Sequence, residues 1–219
     1  MDVILFGATG MVGQGALREC LLDPDVRRVV AIGRTPTGQH DPKLRDIVAA
    51  DLFDLSTLAP QLSGFDACFF CLGVSSARMP EDQYAHITYD LTIAAATTLA
   101  RLNPQMTFVY VSGAGTDSTE RGRSMWARVK GRTENALLKL PFRAAYMFRP
   151  AAIQPLHGIR SKTKVYRFIY ALTASVFPLL KRLFPRFVTT TEQLGRAMLA
   201  VAKHGAPTVI LATDDINRL

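Results

Sequence analysis

Three glycines between a short apolar segment and a helical pattern constrain the fold more than any other feature. They lie in GATGMVG, residues 7–13, at the spacing G-x-x-G-x-x-G. The first glycine permits a tight turn, the second lets the backbone approach a pyrophosphate, and the third lets the next helix pack on the strand. The N–H groups that begin this helix would bind the phosphates. The segment therefore predicts a dinucleotide-binding turn, with cofactor contacts from Gly7, Thr9, Gly10, Met11, Val12 and Gly13.

Apolar segments and helical patterns alternate along the rest of the chain. The predicted strands are 2–6, 28–32, 47–50, 66–71, 106–112, 143–148 and 208–212. The predicted helices are 12–22, 54–60, 83–102, 123–139, 161–184 and 191–203. Several strand segments are continuously hydrophobic, which is typical of parallel strands covered on both faces. We therefore predict an α/β fold with a doubly wound parallel sheet, the Rossmann fold. It would form one NAD(P)-binding domain over 1–219, with 155–190 as a small C-terminal lobe on the substrate side.

The end of the second strand indicates which dinucleotide binds. NAD-binding sites commonly have an acidic residue there, whereas this chain has Gly33-Arg34 and no acid before Asp41. A guanidinium suits the 2′-phosphate of NADP(H), which is therefore preferred over NAD(H). The alternative is that Arg34 is a solvated loop arginine. Asp51 and Leu52 follow the third strand and are expected at the adenine, unless Asp51 instead caps the helix that begins near Asp54.

The cysteines indicate a reducing compartment. The chain has three of them, Cys20, Cys68 and Cys71, so there is no disulfide framework. The C-x-x-C pair lies within a buried strand, where side chains three apart point to opposite faces, so buried unpaired cysteines are favoured over a redox site. Because the first strand begins at Asp2, we expect no signal or transit peptide and a cytoplasmic protein. No metal site is predicted.

Four further segments follow along the chain, which are CLG at 71–73, VSGAG at 111–115, W-x-x-x-K-G-x-x-E at 126–134 and RPAAI at 149–153. They resemble segments of the atypical short-chain dehydrogenase/reductases, within the NAD(P)-binding NmrA-like group and its Tat-interacting-protein oxidoreductase branch. The resemblance covers essentially the whole chain. It implies that Ser112 orients the substrate, and that Ala151 stands where the family often has glycine. It also implies further cofactor contacts from Cys71, Leu72, Gly73, Lys130, Pro150 and Ile153.

The resemblance also implies a catalytic tyrosine, and the chain lacks it. The family transfers a hydride between the nicotinamide and a carbonyl or alcohol carbon, and a tyrosine four residues before a lysine handles the proton. Here Trp126 stands four residues before Lys130, and no lysine of the chain follows a tyrosine at that spacing. An indole N–H donates but does not titrate usefully. The candidate catalytic residues are therefore Ser112, Trp126 and Lys130, of which Trp126 cannot be the acid.

Two functions remain open at this stage. In one, the chain is an oxidoreductase on a small carbonyl or quinone-like substrate, with the proton coming from Ser112, water or a side chain in QYAHITYD. The side chains considered there are Tyr84, His86 and Tyr89. In the other, the chain is a catalytically weak or inactive NADP(H)-binding redox sensor or regulatory protein.

The formal net charge of +8 is concentrated towards the C-terminus. Between Asn135 and Thr191 there are ten basic residues and no acidic one. Within this region 168–180 is apolar and uncharged, and basic residues flank it. The segment 159–186 therefore favours either peripheral membrane contact through an interfacial helix or a core-facing helix with a basic exposed side. No specific nucleic-acid partner is expected, because no binding motif accompanies the charge. A small-molecule substrate and a monomer or homodimer complete the expectations.

Overall fold

A parallel sheet of seven strands organises the chain. The structure is a computed structural model, and it describes residues 1–159 and 186–219. The strands are β1 Asp2–Phe6, β2 Arg28–Gly33, β3 Leu44–Val48, β4 Ala67–Phe70, β5 Thr107–Val111, β6 Ala144–Arg149, β7 Ala152–Gln154, β8 Val188–Thr190 and β9 Ile210–Ala212. The order across the main sheet is β3-β2-β1-β4-β5-β6-β9, with every neighbouring pair parallel, and β7 pairs with β8 in a separate small sheet. The doubly wound fold predicted from the sequence is confirmed.

Helices cover both faces of this sheet. They are α1 Met11–Leu22, α2 Glu81–Ala85, α3 Leu91–Leu102, α4 Met125–Leu137, α5 Thr191–His204 and α6 Thr213–Arg218. A 3-10 helix spans Ser56–Gln61, and a π-helical turn, His86–Asp90, joins α2 to α3.

Alternate side chains of β1 belong to two different cores. Val3 and Leu5 pack with α1 and α5 on one face, and Ile4 and Phe6 pack with α3 on the other. All four side chains are fully buried. The continuous hydrophobicity of this strand therefore follows from its central place in the sheet. The strand order reverses between β1 and β4, which opens a crevice at their carboxyl ends.

The predicted elements differ from the observed ones at four places. The strand predicted at 47–50 is observed as β3, which covers Leu44–Val48 and so begins and ends earlier. Pro60 lies inside the segment predicted as a helix at 54–60, and a 3-10 helix forms there instead. The π-helical turn interrupts the predicted helix 83–102. A small parallel sheet of β7 and β8, together with α6, was not predicted, because such short elements show no periodicity. The predicted helix 161–184 and most of the predicted lobe 155–190 lie outside the described residues.

The two cysteines of the C-x-x-C pair pack on opposite faces of the sheet. Cys68 belongs to the core beneath α3, and Cys71 packs against the core beneath α1. Burial raises the pKa of the Cys71 thiol to about 12 and that of the Cys68 thiol well above its usual range. Both are free thiols; Cys68 is buried as expected, whereas Cys71 is half-buried.

Within residues 1–159 and 186–219, no helix is both long enough and apolar enough to cross a membrane.

Candidate functional site

The turn after β1 can be built only with glycine at two of its positions. Gly7 has φ of +76°, and a Cβ there would lie 2.6 Å from the backbone nitrogen of Leu72. A Cβ on Gly13 would lie 2.1 Å from the carbonyl oxygen of Gly7. These contacts bring the start of α1 directly onto the end of the strand. The close approach expected from the glycine spacing is therefore present.

The first turn of α1 is available to an anion. Gly10 precedes the helix in an extended conformation, no side chain caps the helix, and no acidic residue lies in its first turn. Helix N–H groups that lack intrahelical partners attract phosphate. Met11 and Val12 provide such N–H groups, while their side chains pack against the core. Both residues therefore fit a backbone contact to a pyrophosphate.

A cavity of about 690 Å³ lies at the carboxyl ends of β1, β2 and β4. Its volume suits a bound cofactor. A Cβ on Gly73 would meet no atom within 4 Å, so this glycine leaves space open beside its backbone. The predicted cofactor residues that line the cavity are Gly7, Thr9, Gly10, Arg34, Asp51, Leu52, Cys71, Leu72 and Gly73. The glycine turn, the uncapped helix and this cavity together fit a dinucleotide.

Arg34 lies at the rim of the cavity in the loop after β2, beside Thr35 and Thr37. The carboxylate of Asp46 on β3 accepts from the Thr37 N–H at 3.1 Å and from its hydroxyl at 2.9 Å. Asp46 therefore fixes this loop against the sheet. The Arg34 side chain is exposed at the same edge.

Asp51 both lines the cavity and shapes the turn next to it. Its carboxylate accepts from the Phe53 N–H at 2.8 Å. The 3-10 helix has a different acid at its start, because Asp54 accepts from the Ser56 N–H at 2.8 Å. Hydrogen bonds from the Ser56 backbone and side chain hold the pKa of the Asp54 carboxyl below its usual range. Asp51 is therefore not the residue that caps this helix.

An aromatic pair at the cavity was not predicted from the sequence. The Phe53 ring lines the cavity and stacks on His86, with ring centroids 4.4 Å apart and planes 16° from parallel. His86 also pairs with Asp90 at 3.1 Å. The only sequence signal was an aromatic residue directly after Asp51-Leu52. His86, considered as a proton source, stacks beside this part of the cavity.

Two of the three predicted catalytic residues meet at the end of β5. The Lys130 ammonium donates to the Ser112 carbonyl oxygen at 2.9 Å and to that of Val111 at 3.4 Å. It also lies 5.5 Å from the centre of the Tyr110 ring. Burial lowers the pKa of Lys130 to about 8, although the nearby Glu134 carboxylate acts in the opposite direction.

The Ser112 hydroxyl is held from inside the protein. Its Oγ lies 2.5 Å from Glu134 Oε1 and 3.1 Å from the Phe148 carbonyl oxygen. Glu134 is fully buried on α4, and its carboxylate pairs with Arg149 at the end of β6. Arg149 also donates to Ser118. The sequence motif included Glu134, but its contacts with Ser112 and Arg149 were not predicted.

Trp126, the third predicted catalytic residue, lies half-buried in the first turn of α4. The edge of its indole ring comes 3.4 Å from where a Cβ on Gly115 would lie. The ring therefore packs over the loop that follows β5. The cavity described above does not include Ser112, Trp126 or Lys130.

The two tyrosines considered as proton sources are occupied elsewhere. Tyr84 is 2% exposed, and burial raises the pKa of its phenol. Tyr89 lies under the Arg132 guanidinium, 3.9 Å from the ring centre. The structure does not place either phenol in a contact with Ser112 or Lys130.

The segment after β6 is fixed by its backbone. The Pro150 carbonyl accepts from the Ala114 N–H at 2.9 Å, and the Ala151 N–H donates to the Thr213 hydroxyl at 2.9 Å. The Ile153 side chain packs in the core. It therefore does not point into the described cavity, and neither Pro150 nor Ile153 lines it.

The lowered pKa of Lys130 predicts a dependence of stability on pH. Between about pH 8 and the usual lysine value of 10.5, the unfolded chain binds this proton while the folded chain has lost it. Stability therefore gains from Lys130 as the pH rises through this interval. Urea unfolding measures the free energy of unfolding of the wild type and of Lys130→Met. As the pH rises over this range, the wild-type value should increase relative to that of the variant. A difference independent of pH would contradict the prediction.

The parallel sheet and the glycine turn define an NAD(P)-binding Rossmann fold similar to that of short-chain dehydrogenase/reductases, and the NmrA-like group fits it. The chain belongs to the NAD(P)H-binding family, whose model matches residues 7–139.

Fungal proteins are among the relatives of this chain. It is 32% identical to "Protein fmp52, mitochondrial" of Emericella nidulans over 162 residues, which are 69% of this chain and 66% of that protein. It is 31% identical to "Protein FMP52, mitochondrial" of Saccharomyces cerevisiae over 179 residues, 80% of this chain and 74% of that protein. Since these relatives are named mitochondrial, our expectation of a cytoplasmic location is wrong. Composition and cysteine content did not distinguish the two compartments.

Solved structures share the fold at low sequence identity. The Bordetella bronchiseptica enzyme WbmF, in complex with NAD⁺, superposes with a TM-score of 0.68 at 14% identity, covering 99% of this chain and 76% of that one. A short-chain dehydrogenase from Burkholderia cenocepacia, in complex with NADP, superposes with a TM-score of 0.67 at 15% identity, covering 99% and 91%. Because these neighbours hold different dinucleotides, they do not select between NADP(H) and NAD(H).

Proposed function

We propose that this chain is an NADP(H)-dependent oxidoreductase acting on a small carbonyl or quinone-like compound, with Trp126 in the place of the usual acid. The nicotinamide would supply or accept the hydride. The cofactor would bind through the glycine turn, the first turn of α1 and the cavity, while Lys130 and Ser112 would face the reacting end.

The observation that carries this proposal is the contact between Lys130 and the end of β5. A lysine ammonium 2.9 Å from the Ser112 carbonyl oxygen places a positive charge and a serine hydroxyl at one edge of the sheet. That edge is continuous with the carboxyl ends that form the cavity. A cation there can stabilise negative charge that develops on a substrate oxygen. Quinone-like substrates suit the site best, because they require the weakest proton donor.

The test is NADPH consumption by the purified protein with 9,10-phenanthrenequinone, 4-nitrobenzaldehyde and acetophenone. The quinone should be reduced fastest, and Lys130→Met should lose most of that rate. If no compound accelerates NADPH consumption over buffer, the oxidoreductase proposal fails. A rate unchanged by Lys130→Met would remove this lysine from the reaction.

Arg34 provides a separate test of cofactor preference. Its guanidinium is the charged group at the rim of the cavity that suits a 2′-phosphate. Wild-type protein should bind NADPH at least about tenfold more tightly than NADH, since one charge-assisted bond contributes about 1.5–3 kcal/mol. Arg34→Ala should remove this difference while leaving NADH affinity unchanged. Fluorescence titration of both dinucleotides measures it, and equal affinities in the wild type would favour NAD(H).

A specific observation favours a second candidate function, an NADP(H)-binding redox sensor or regulatory protein. The ring of Trp126 packs over the loop at Gly115, and Ser112 is bonded to the buried Glu134. Neither residue then offers a titrating proton donor at the reacting end. Tight NADPH binding without turnover of any panel compound would support this function.

We also propose that the protein works in mitochondria, as the names of its relatives suggest. Peripheral contact with an anionic membrane through 159–186 is part of this proposal. Co-sedimentation with liposomes that contain anionic lipid tests it, and an absence of salt-sensitive pelleting would exclude the contact. The expected monomer or homodimer stays a prediction, which light scattering can check.

A further inference from the structure

We propose that the Ser112 hydroxyl donates its proton in a hydrogen bond to the Glu134 carboxylate, so that Ser112 offers a ligand a hydrogen-bond acceptor and not a donor. Of the two forms of the substrate, Ser112 would then recognise the reduced one through its O–H group, and not the carbonyl of the oxidised one. This inference rests on the proposed function for its substrate, but the position of the proton can be tested without any substrate.

The two contacts of the Ser112 hydroxyl both lead to acceptors. Glu134 Oε1 lies 2.5 Å from Ser112 Oγ, and the Phe148 carbonyl oxygen lies at 3.1 Å. A hydroxyl has one proton, so only one of these contacts is a full hydrogen bond. The shorter contact leads to a carboxylate, and charge-assisted bonds are shorter and stronger than neutral ones. The proton therefore points towards Glu134.

Arg149 also binds the Glu134 carboxylate. Its Nε lies 3.1 Å and 3.2 Å from the two carboxylate oxygens, and its Nη2 forms an ion pair with Oε2. The carboxylate side chain is 1% exposed, so this guanidinium is its main source of charge compensation. The carboxylate therefore faces hydrogen-bond donors from two residues, the Arg149 guanidinium and the Ser112 hydroxyl. The Glu134 carboxylate also attracts Lys130 and favours the charged form of that lysine.

Donating to a substrate carbonyl would require Ser112 to release Glu134. The carboxylate would then lose a hydrogen bond in a buried site, which is unfavourable. By contrast, no hydrogen bond to Ser112 Oγ from a donor among the described residues is present, so accepting one from a ligand would leave the bond to Glu134 intact. Lys130 lies at the same strand end and can donate to an oxygen. The two residues therefore have complementary roles, a donor at Lys130 and an acceptor at Ser112.

Glu134→Gln should reverse the polarity of Ser112 with little change in shape. Arg149 still needs an acceptor, so the amide oxygen of glutamine should face the guanidinium. The amide NH₂ would then donate to Ser112 Oγ, which frees the serine proton for a ligand. This makes Glu134 a positioning residue that acts through Ser112.

The first measurement locates the proton directly. In protein labelled with ¹³C-serine, the Ser112 hydroxyl should give a slowly exchanging proton signal shifted well downfield. Ser112→Ala should remove this signal, and Glu134→Gln should return it to the range of ordinary serine hydroxyls. A signal that is unchanged in Glu134→Gln, or one absent from the wild type, would overturn the inference.

The second measurement tests whether Ser112 donates a hydrogen bond to a ligand or accepts one, with ligands that cannot react. Protein loaded with NADP⁺ is titrated with 4-nitrobenzaldehyde, and protein loaded with NADPH is titrated with 4-nitrobenzyl alcohol, by ligand-observed NMR. Glu134→Gln should shift the ratio of the two dissociation constants towards the aldehyde by about tenfold, the size of one hydrogen bond. In a Ser112→Ala background the same substitution should leave the ratio unchanged.

A ratio that does not respond to Glu134→Gln, or no binding of either ligand, would overturn the acceptor role. A purely structural role of Glu134 would weaken both ligands equally and would not move the ratio. If these results hold but the NADPH panel shows no turnover, the oxidoreductase proposal fails and the polarity of Ser112 stands.

Discussion

Trp126→Tyr should raise the rate of NADPH-dependent quinone reduction by about a hundredfold or more, the usual contribution of a positioned general acid. Residue 126 lies one helical turn before Lys130 on α4, so a phenol there would share its face. The Lys130 ammonium at the end of β5 would lower the pKa of that phenol. The rate is read from NADPH absorbance with 9,10-phenanthrenequinone.

Trp126→Phe is the matched control, because it removes the indole without adding a hydroxyl. If both variants change the rate equally, relief of the packing over Gly115 is responsible and not the phenol. If the wild type is inert and only Trp126→Tyr is active, the natural protein is the NADP(H)-binding sensor or regulator.

Gly131→Ala should destabilise the fold by about 3 kcal/mol or more, at the upper end of the usual cost of overpacking. A Cβ at this position would lie 1.8 Å from the Asp117 carbonyl oxygen and 3.2 Å from the Ser118 nitrogen. Both obstacles are backbone atoms, so either α4 or the loop after β5 must move. Because Lys130 is the preceding residue, this movement should also disturb its contact with Ser112.

Gly73→Ala is the control for this prediction, since a Cβ there meets nothing within 4 Å. Its urea midpoint should stay close to that of the wild type, because a substitution with no new contact usually changes stability by less than about 0.5 kcal/mol. Equal midpoints for Gly131→Ala and Gly73→Ala would show that the loop yields at no cost.

The features that could be predicted from the sequence are those with local causes. The glycine turn follows from steric limits within residues 7–13, and the buried parallel strands follow from continuous hydrophobicity. Both were confirmed. The α4 positions of Lys130 and Glu134 also follow from helical spacing, although their assignment as site residues came from the resemblance.

The features that could not be predicted depend on contacts between distant segments. The pairing of Glu134 with Arg149 requires α4 to lie beside the end of β6, which no local pattern encodes. The stacking of Phe53 on His86 depends on where the π-helical turn places that histidine. Ile153 was predicted as a cofactor contact, and the pairing of β7 with β8, which places its side chain in the core, was not foreseen.

The parallel pairing of β7 and β8 does not fix the length of the connection between these two strands. Ala152, Ile153 and Gln154 pair with Val188, Thr189 and Thr190 in the same direction, so the chain between them must return to its starting end. Such a crossover needs roughly a dozen residues. Residues 155–187 exceed this minimum, so the strand pair sets no upper limit on the length of the connection. The register of β7 and β8 therefore does not depend on how long the connection between them is.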